Sequence, residues 1–261
     1  MAASFEISAA MFAFIMFMVF LAGFVDASAG GGGIISLPSY VFAGLPAHLA
    51  LGCNKFSSAC GTTVSAFKFW RGGAADIRAA IFAAAGSFAG SAAGSNIALI
   101  LADSTIRMML IFILPCAAAV IFLKRNFGEG NASGAYTGHK ADAFAFAIGL
   151  AIGAYDGLFG PGTGTFAIIA FCAVMKYDIR TASGNAKVLN LASNYASVIT
   201  FALAGTIVYK IAIPAAICGI AGNYIGARCA LDRGARFIRP MMLLVLALLM
   251  AKLIWDLVAA V

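Results

Sequence analysis

The chain has 261 residues, of which 63% are hydrophobic and only 10% are charged. Its mean hydropathy is +0.99. A water-soluble domain with so few charges would expose large areas of hydrocarbon to water, so the composition excludes that class and favours a membrane protein. Basic cytoplasmic loops, which are typical of membrane proteins, account for the net charge of +7, and we expect no nucleic-acid partner.

Taken in chain order, the apolar runs between polar and glycine-rich breaks predict up to ten membrane segments. Most reach the roughly 20 residues that are needed to cross a bilayer. The runs at 31–45 and 163–176 are too short, and each follows a glycine cluster, so we predict glycine-broken or re-entrant short helices there. The predicted fold class is an all-α polytopic membrane protein with a single transmembrane domain over 1–261. The segments are 7–27, 31–45, 48–70, 78–101, 106–123, 141–158, 163–176, 180–203, 208–231 and 237–259.

The two halves of the chain resemble each other. Residues 26–32 match 156–162 at a spacing of 130, and residues 50–55 match 182–187 at a spacing of 132. An ordered series of such matches is hard to obtain by chance, even in a chain rich in glycine and alanine. We therefore predict a first repeat over 7–123, a polar linker over 124–140 and a second repeat over 141–259.

The basic residues predict how the two halves are oriented. Five segments in each half is an odd number, so the halves should face opposite ways. Most of the Lys and Arg residues lie near 68–78, 124–140, 176–180 and 228–239. Placing these loops inside satisfies the positive-inside rule and predicts an inverted repeat. The linker is then cytoplasmic and both termini lie outside, in a multi-pass protein of the inner (plasma) membrane.

Lys55 and Lys187 occupy matching positions within apolar segments. A lysine at mid-bilayer costs about 2.5–3.5 kcal/mol on insertion scales, so it requires a protein-lined or watery environment. Snorkelling of each side chain to an interface is the alternative. Two such groups at equivalent positions favour a shared anion site, to which Asn54, Asn185 and Asn190 would add amide donors.

The glycine clusters precede the two short segments. Glycine allows the backbone to leave the helix, and Pro161 cannot complete a helical ladder. The half-helix that follows would present free N–H groups and the positive end of its dipole, which together bind anions. The predicted substrate-binding residues of these turns are Gly31, Gly32, Gly33, Gly160, Gly162, Thr163, Gly164 and Thr165.

A second set of glycines recurs every four residues, at Gly86, Gly90 and Gly94 and at Gly222 and Gly226. This spacing places small residues on one face of a helix and predicts close helix–helix contacts.

Asp26 and Asp156 are the acidic residues nearest the glycine turns. Three roles are open for them: capping the half-helices, accepting a proton during transport, or pairing with the lysines. The six cysteines form no CxxC motif and have no histidine at metal-binding spacing. We therefore expect no metal and no cofactor.

The pattern from Asp26 through the four glycines and Pro38 to Asn54-Lys55 has its counterpart from Asp156 through 160–165 to Lys187. This combination resembles the sulfite exporter (TauE/SafE) family of membrane transporters, over essentially the whole chain. The resemblance implies a permease for sulfite, sulfonates or related sulfur oxyanions in a plasma membrane.

The predicted function is alternating-access transport of a small anion. Export is favoured, because an inside-negative potential assists anion exit by about 2.3 kcal/mol per charge per 100 mV. An anion channel and a proton-coupled importer of organosulfonates are the alternatives. An enzyme is not expected, since the chain contains no HExxH or GxSxG motif. Membrane lipid and the small anion are the expected partners, and homo-oligomerisation is left open.

Overall fold

The structure is a computed structural model, and it describes residues 7–102 and 135–259. These ranges fold into nine helices, which confirms the all-α prediction. The predicted segment 106–123 and linker residues 124–134 lie outside the described ranges. The helices are α1 Ala9–Ala29, α2 Gly33–Phe42, α3 Ala47–Arg71, α4 Ile77–Ile100, α5 Gly138–Leu158, α6 Thr163–Ala173, α7 Ile179–Leu203, α8 Tyr209–Arg233 and α9 Ala235–Ala259.

Polar side chains fix where several helices begin. Ser8 accepts the N–H of Met11 at the start of α1, and Asp178 accepts the N–H of Arg180 at the start of α7. Such acceptors satisfy N–H groups that have no partner within the first turn. The observed helix boundaries lie within a few residues of the predicted segment boundaries.

Helices α2 and α6 are short, as the sequence predicts, and each follows a glycine turn. Gly30 has a φ of 80°, and in the second turn Gly160 and Gly162 have φ values of 91° and 82°. Only glycine adopts this left-handed region at little cost. The glycines therefore end α1 and α5 and let the chain re-enter as a new helix.

Four of the described helices, α1, α4, α5 and α8, are long and apolar enough to cross a membrane. Several large apolar side chains on the outside of the molecule are highly exposed, such as Phe42 at 72%, Ile100 at 82% and Leu203 at 86%. A water-soluble protein rarely leaves so many such side chains exposed, whereas lipid solvates them. The described part of the chain thus has the composition and surface of a membrane-embedded protein.

The helices of the two halves pack in matching pairs. Helix α4 packs against α5, and α1 packs against α8; α4 also packs against α7, and α3 against α8. Helices α3 and α7, which carry the two lysines, contact each other directly. These two helices therefore lie together where the halves meet.

The glycines spaced by four lie in the closest of these contacts. A Cβ added to Gly90 of α4 would lie 2.2 Å from the carbonyl oxygen of Leu150 in α5. A Cβ added to Gly222 of α8 would lie 2.0 Å from the carbonyl oxygen of Phe20 in α1. These distances confirm the prediction of close helix–helix contacts.

Replacing Gly90 with leucine is expected to destabilise the protein by about 2–3 kcal/mol or to prevent its accumulation, because the side chain would separate α4 from α5. The matched control is Ala89→Leu, since Ala89 is exposed on the same helix. Thermal unfolding of the purified variants in detergent measures the difference. Equal stability of the two variants would contradict the close contact.

Candidate functional site

The two glycine turns contact each other at the centre of the molecule. A Cβ added to Gly30 would lie 2.2 Å from the carbonyl carbon of Gly164, so neither turn tolerates a side chain there. The N–H of Thr165 donates to the carbonyl oxygen of Gly30 at 3.2 Å. The Thr165 hydroxyl donates to the carbonyl oxygen of Ala29 at 2.7 Å. In this conformation both hydrogen-bond donors of Thr165 bind the first glycine turn and so hold the two turns together.

The predicted lysines are fully buried beside these turns and do not snorkel: Lys55 is 1% exposed and Lys187 is 0% exposed. The Nζ atom of Lys55 lies 2.7 Å from Oδ2 of Asp156. The Nζ atom of Lys187 lies 3.2 Å from Oδ2 of Asp26. Each lysine therefore pairs with the aspartate of the other half, which is one of the three roles that the sequence left open for the aspartates.

Each lysine also lies near the carboxyl-terminal end of the other half's first helix. Lys187 donates to the backbone carbonyl of Asp26 near the end of α1. Lys55 lies beside Gly160, where α5 ends, at 3.4 Å from the position that a Cβ would take. The carboxyl-terminal end of a helix carries a partial negative charge, so both ammonium groups are stabilised there.

Asp156 is held by hydroxyl groups in addition to Lys55. The Thr163 hydroxyl donates to Oδ1 of Asp156 at 2.7 Å, and the Ser193 hydroxyl donates to Oδ2. Thr163 belongs to the predicted site, whereas Ser193 was not predicted. A single serine in a helix rich in small residues carries no periodic signal that would single it out.

The amide side chains of α3 and α7 have different positions. Asn190 and Asn194 share a face of α7, with a hydrogen bond of 3.3 Å between them, and Asn194 Oδ1 accepts from Lys55 at 3.5 Å. Asn54 is also buried, and its Oδ1 accepts from the Ser36 hydroxyl at 2.6 Å. These three side chains extend the polar centre around the ion pairs.

Asn185 is placed elsewhere. Its Oδ1 accepts the backbone N–H of Asp76 at 2.9 Å, at the residue that caps the start of α4. This contact ties α7 to the turn between α3 and α4. Asn185 thus supports the packing of the two halves at the turn between α3 and α4, and this contact does not involve either lysine.

The turn glycines of the first half have different neighbours. Gly33 lies beside Pro161, and a Cβ added there would be 3.3 Å from the Pro161 Cα atom. Gly31 faces Val245 of α9, and Gly32 faces the end of α1. Gly32 also borders a cavity of about 20 Å³ that reaches the Asp26 side chain.

The charges at the centre balance within each pair. Burying an isolated ammonium group or carboxylate is very costly, and the paired arrangement offsets this cost. An external anion can bind to either lysine only if the carboxylate moves away or becomes neutral. The arrangement is thus suited to exchanging one counter-charge for another. In the described ranges, no group of three or more His, Cys, Asp or Glu side chains is placed to hold a metal ion.

Comparisons with known proteins agree with the resemblance noted in the sequence. The chain is 31% identical over 248 residues to "Probable membrane transporter protein ORF9" of a Sinorhizobium species, which covers 94% of this chain and 93% of the relative. It is also 31% identical over 253 residues to "Probable membrane transporter protein YfcA" of Escherichia coli K12, covering 97% of this chain and 93% of the relative.

A relative from Haemophilus influenzae, named "Probable membrane transporter protein", is 31% identical over 243 residues, covering 93% of this chain and 94% of the relative. No solved structure matches the chain at a significant level. A family model described as sulfite exporter TauE/SafE matches residues 15–253. The family and these relatives are transporters, in keeping with the prediction of a non-enzymatic function. The chain belongs to the sulfite exporter TauE/SafE family of membrane transporters.

Proposed function

We propose that this protein carries a small anion across the inner membrane and that Lys55 and Lys187 bind it. The single observation that supports this proposal best is the burial of two ammonium groups where the glycine turns meet. Buried lysines in a membrane protein are expensive and mark a substrate or ion pathway by default. A cation carrier would be opposed by the same two positive charges.

Binding would proceed by replacement of a carboxylate. An incoming oxyanion would take the place of the Asp156 carboxylate near Lys55, or of the Asp26 carboxylate near Lys187. The total charge around each lysine would then stay balanced, which keeps the desolvation cost low. Thr163, Asn190 and Asn54 would add hydrogen bonds, and the remaining turn glycines would let the backbone approach the anion closely.

The two halves would work as an inverted repeat with alternating access. The matching of helix pairs between the halves, in which α4–α5 corresponds to α1–α8, supports a two-fold relation. The basic loops support opposite orientations, with the linker inside and both termini outside. In such carriers one repeat moves against the other around a fixed central site.

The family description makes sulfite, a sulfonate or a related sulfur oxyanion the first candidate substrate. The direction of transport depends on coupling. An uncoupled carrier would export a monovalent anion, driven by about 2.3 kcal/mol per 100 mV of inside-negative potential. Uptake of an organosulfonate would require a coupled ion, and Asp26 and Asp156 are the candidate proton sites.

Direct binding to the purified protein tests the proposed function. Sulfite, sulfoacetate, taurine and sulfate, each titrated into protein in detergent, are compared by calorimetry. We expect saturable binding of at least one of the anions sulfite, sulfoacetate and sulfate, and weaker binding of zwitterionic taurine, since its ammonium group would face the buried lysines. Binding of cations alone would overturn the proposal, and anion flux in liposomes that never saturates would favour a channel over a carrier.

A further inference from the structure

The two aspartates of the central ion pairs occupy equivalent positions in the two halves, but their surroundings differ. Asp156 is enclosed, with a side chain that is 3% exposed. Both of its carboxylate oxygens accept hydrogen bonds, from Thr163 and Ser193 in addition to Lys55. A carboxylate that is held by three donors in this way is fixed in its position.

Asp26 is without these hydroxyl groups for a reason that is visible in the sequence. At the positions equivalent to Thr163 and Ser193, the first half has Gly33 and Gly61, and glycine has no side chain to donate. The Asp26 side chain is 14% exposed and is paired with Lys187 at 3.2 Å. It is therefore the less constrained of the two carboxylates.

The space beside Asp26 is a cavity of about 20 Å³, which is room for about one water molecule. Its polar side chains are uncharged apart from Asp26 itself, and Val19, Ala22 and three glycines complete the lining. Helix α2 contributes Ser36, α3 contributes Ser57 and Ser58, and α8 contributes Asn223. Lys187 of α7 is the charged group that faces Asp26, while Lys55 of α3 faces Asp156.

Asn223 supplies an unpaired acceptor at this cavity. The side chain is 2% exposed, and its Nδ2 donates to the carbonyl oxygen of Gly219 at 3.0 Å, which sets the orientation of the amide. Its Oδ1 has no hydrogen-bond partner among the described residues. Gly61 makes room for this amide, since a Cβ added to Gly61 would lie 2.3 Å from Nδ2. A buried, unpaired carbonyl oxygen is destabilising unless a donor such as water reaches it.

We propose that this cavity is a proton site, in which a water molecule bound to Asn223 takes up a proton from the aqueous phase and passes one to Asp26, so that the water itself stays neutral. The proton bonds to a carboxylate oxygen of Asp26, which becomes a neutral carboxylic acid, while Lys187 remains an ammonium group. The transported anion then replaces Asp26 as the counter-charge of Lys187. This inference rests on the proposed function and adds that one proton moves together with each anion.

The neighbouring charge favours a proton over a metal cation at this place. The Lys187 ammonium group, 3.2 Å from the Asp26 carboxylate, would repel a sodium ion bound to the same carboxylate. A proton bonds to a carboxylate oxygen and neutralises the carboxylate, so no second cation remains beside the ammonium group. Movement of one proton with one monovalent anion is electroneutral, so the pH gradient would drive uptake, and the expectation of export would apply only to an uncoupled carrier.

Transport of radiolabelled methanesulfonate in proteoliposomes tests the proton site, because this anion keeps its charge throughout the working pH range. With the membrane potential clamped at zero and the outside more acidic by one pH unit, we expect about tenfold accumulation by the wild-type protein. Asn223→Leu fills the cavity and removes the carbonyl oxygen, and should abolish this accumulation. Labelled-for-unlabelled exchange at equal pH should continue, because the anion can still displace the charged Asp26 carboxylate from Lys187.

Asn96→Leu is the matched control, because the Asn96 amide also donates to the carbonyl four residues earlier but is exposed; it should accumulate the anion like the wild type. Asp26→Asn is a neutral mimic of the protonated acid, and saturating anion present throughout balances the Lys187 charge that the substitution strands. It should exchange without accumulating and serves if Asn223→Leu fails to fold. Exchange without pH-driven accumulation in the wild type would overturn the proton site alone, as would accumulation driven by a sodium gradient. Absence of exchange in the wild type would count against the proposed function instead.

Discussion

Removing the Lys55 ammonium group alone, by Lys55→Met, is expected to lower the free energy of unfolding by about 3–5 kcal/mol. The substitution leaves the Asp156 carboxylate buried without its counter-charge, since the two groups are 2.7 Å apart and almost fully enclosed. Asp156→Asn should cost a similar amount, because it strands the ammonium group. Unfolding by sodium dodecyl sulfate titration in mixed micelles measures each variant.

The double variant Lys55→Met/Asp156→Asn separates the ion pair from the packing of the two side chains. It should be much more stable than the sum of the single losses predicts, because no charge is left unpaired. Arg228 and Asp232 provide the matched cycle on an exposed pair, 3.6 Å apart and more than half exposed, where the coupling should be below about 1 kcal/mol. Strictly additive losses at Lys55 and Asp156 would contradict a buried ion pair.

Much of the fold follows from local sequence features. Apolar runs and their breaks predict the helices, because hydrophobic length and glycine or proline breaks act within a single segment. The short helices at 33–42 and 163–173 illustrate this, since the glycines that precede them determine their start. The positions of Lys55 and Lys187 inside apolar segments likewise identify them as unusual from the sequence alone.

The partners of the lysines could not be predicted in the same way. Asp26 and Lys55 belong to the same half and are close in sequence, yet each pairs with a residue of the other half. That exchange depends on how α1 and α5 pack against the opposite repeat, and no periodicity encodes it. The sequence alone therefore leaves three roles open for the aspartates. The packing of the helices shows that in this conformation they pair with the lysines.

Single polar residues in small-residue helices were the hardest to predict. Ser193 and Asn223 lie among serines, glycines and alanines, where a hydroxyl or amide serves helix packing as readily as a site. Asn185 is a different case: its proximity in sequence to Lys187 predicts a role at the anion site, while its observed contact lies at the capping residue of α4. Which way a helix faces decides such cases, and it is a tertiary property.

The remaining question at the centre is whether Lys187 binds the anion or only stabilises the fold. A single substitution cannot separate the two roles, because Asp26 would be left unpaired in a buried site and the protein would lose stability. Removing both charges together avoids this difficulty. The double variant Lys187→Gln/Asp26→Asn keeps two hydrogen-bonding side chains of similar size at the same places.

This double variant is expected to fold like the wild type and to bind the anion more weakly. Hydrogen bonds to a charged group contribute about 1.5–3 kcal/mol, so the dissociation constant for sulfite should rise by roughly 10- to 150-fold. Calorimetric titration of sulfite measures it, and thermal unfolding confirms the fold. Arg228→Gln/Asp232→Asn removes the same two charges from an exposed pair and should leave binding unchanged. A stable double variant that binds sulfite as the wild type does would show that Lys187 stabilises the fold without binding the anion.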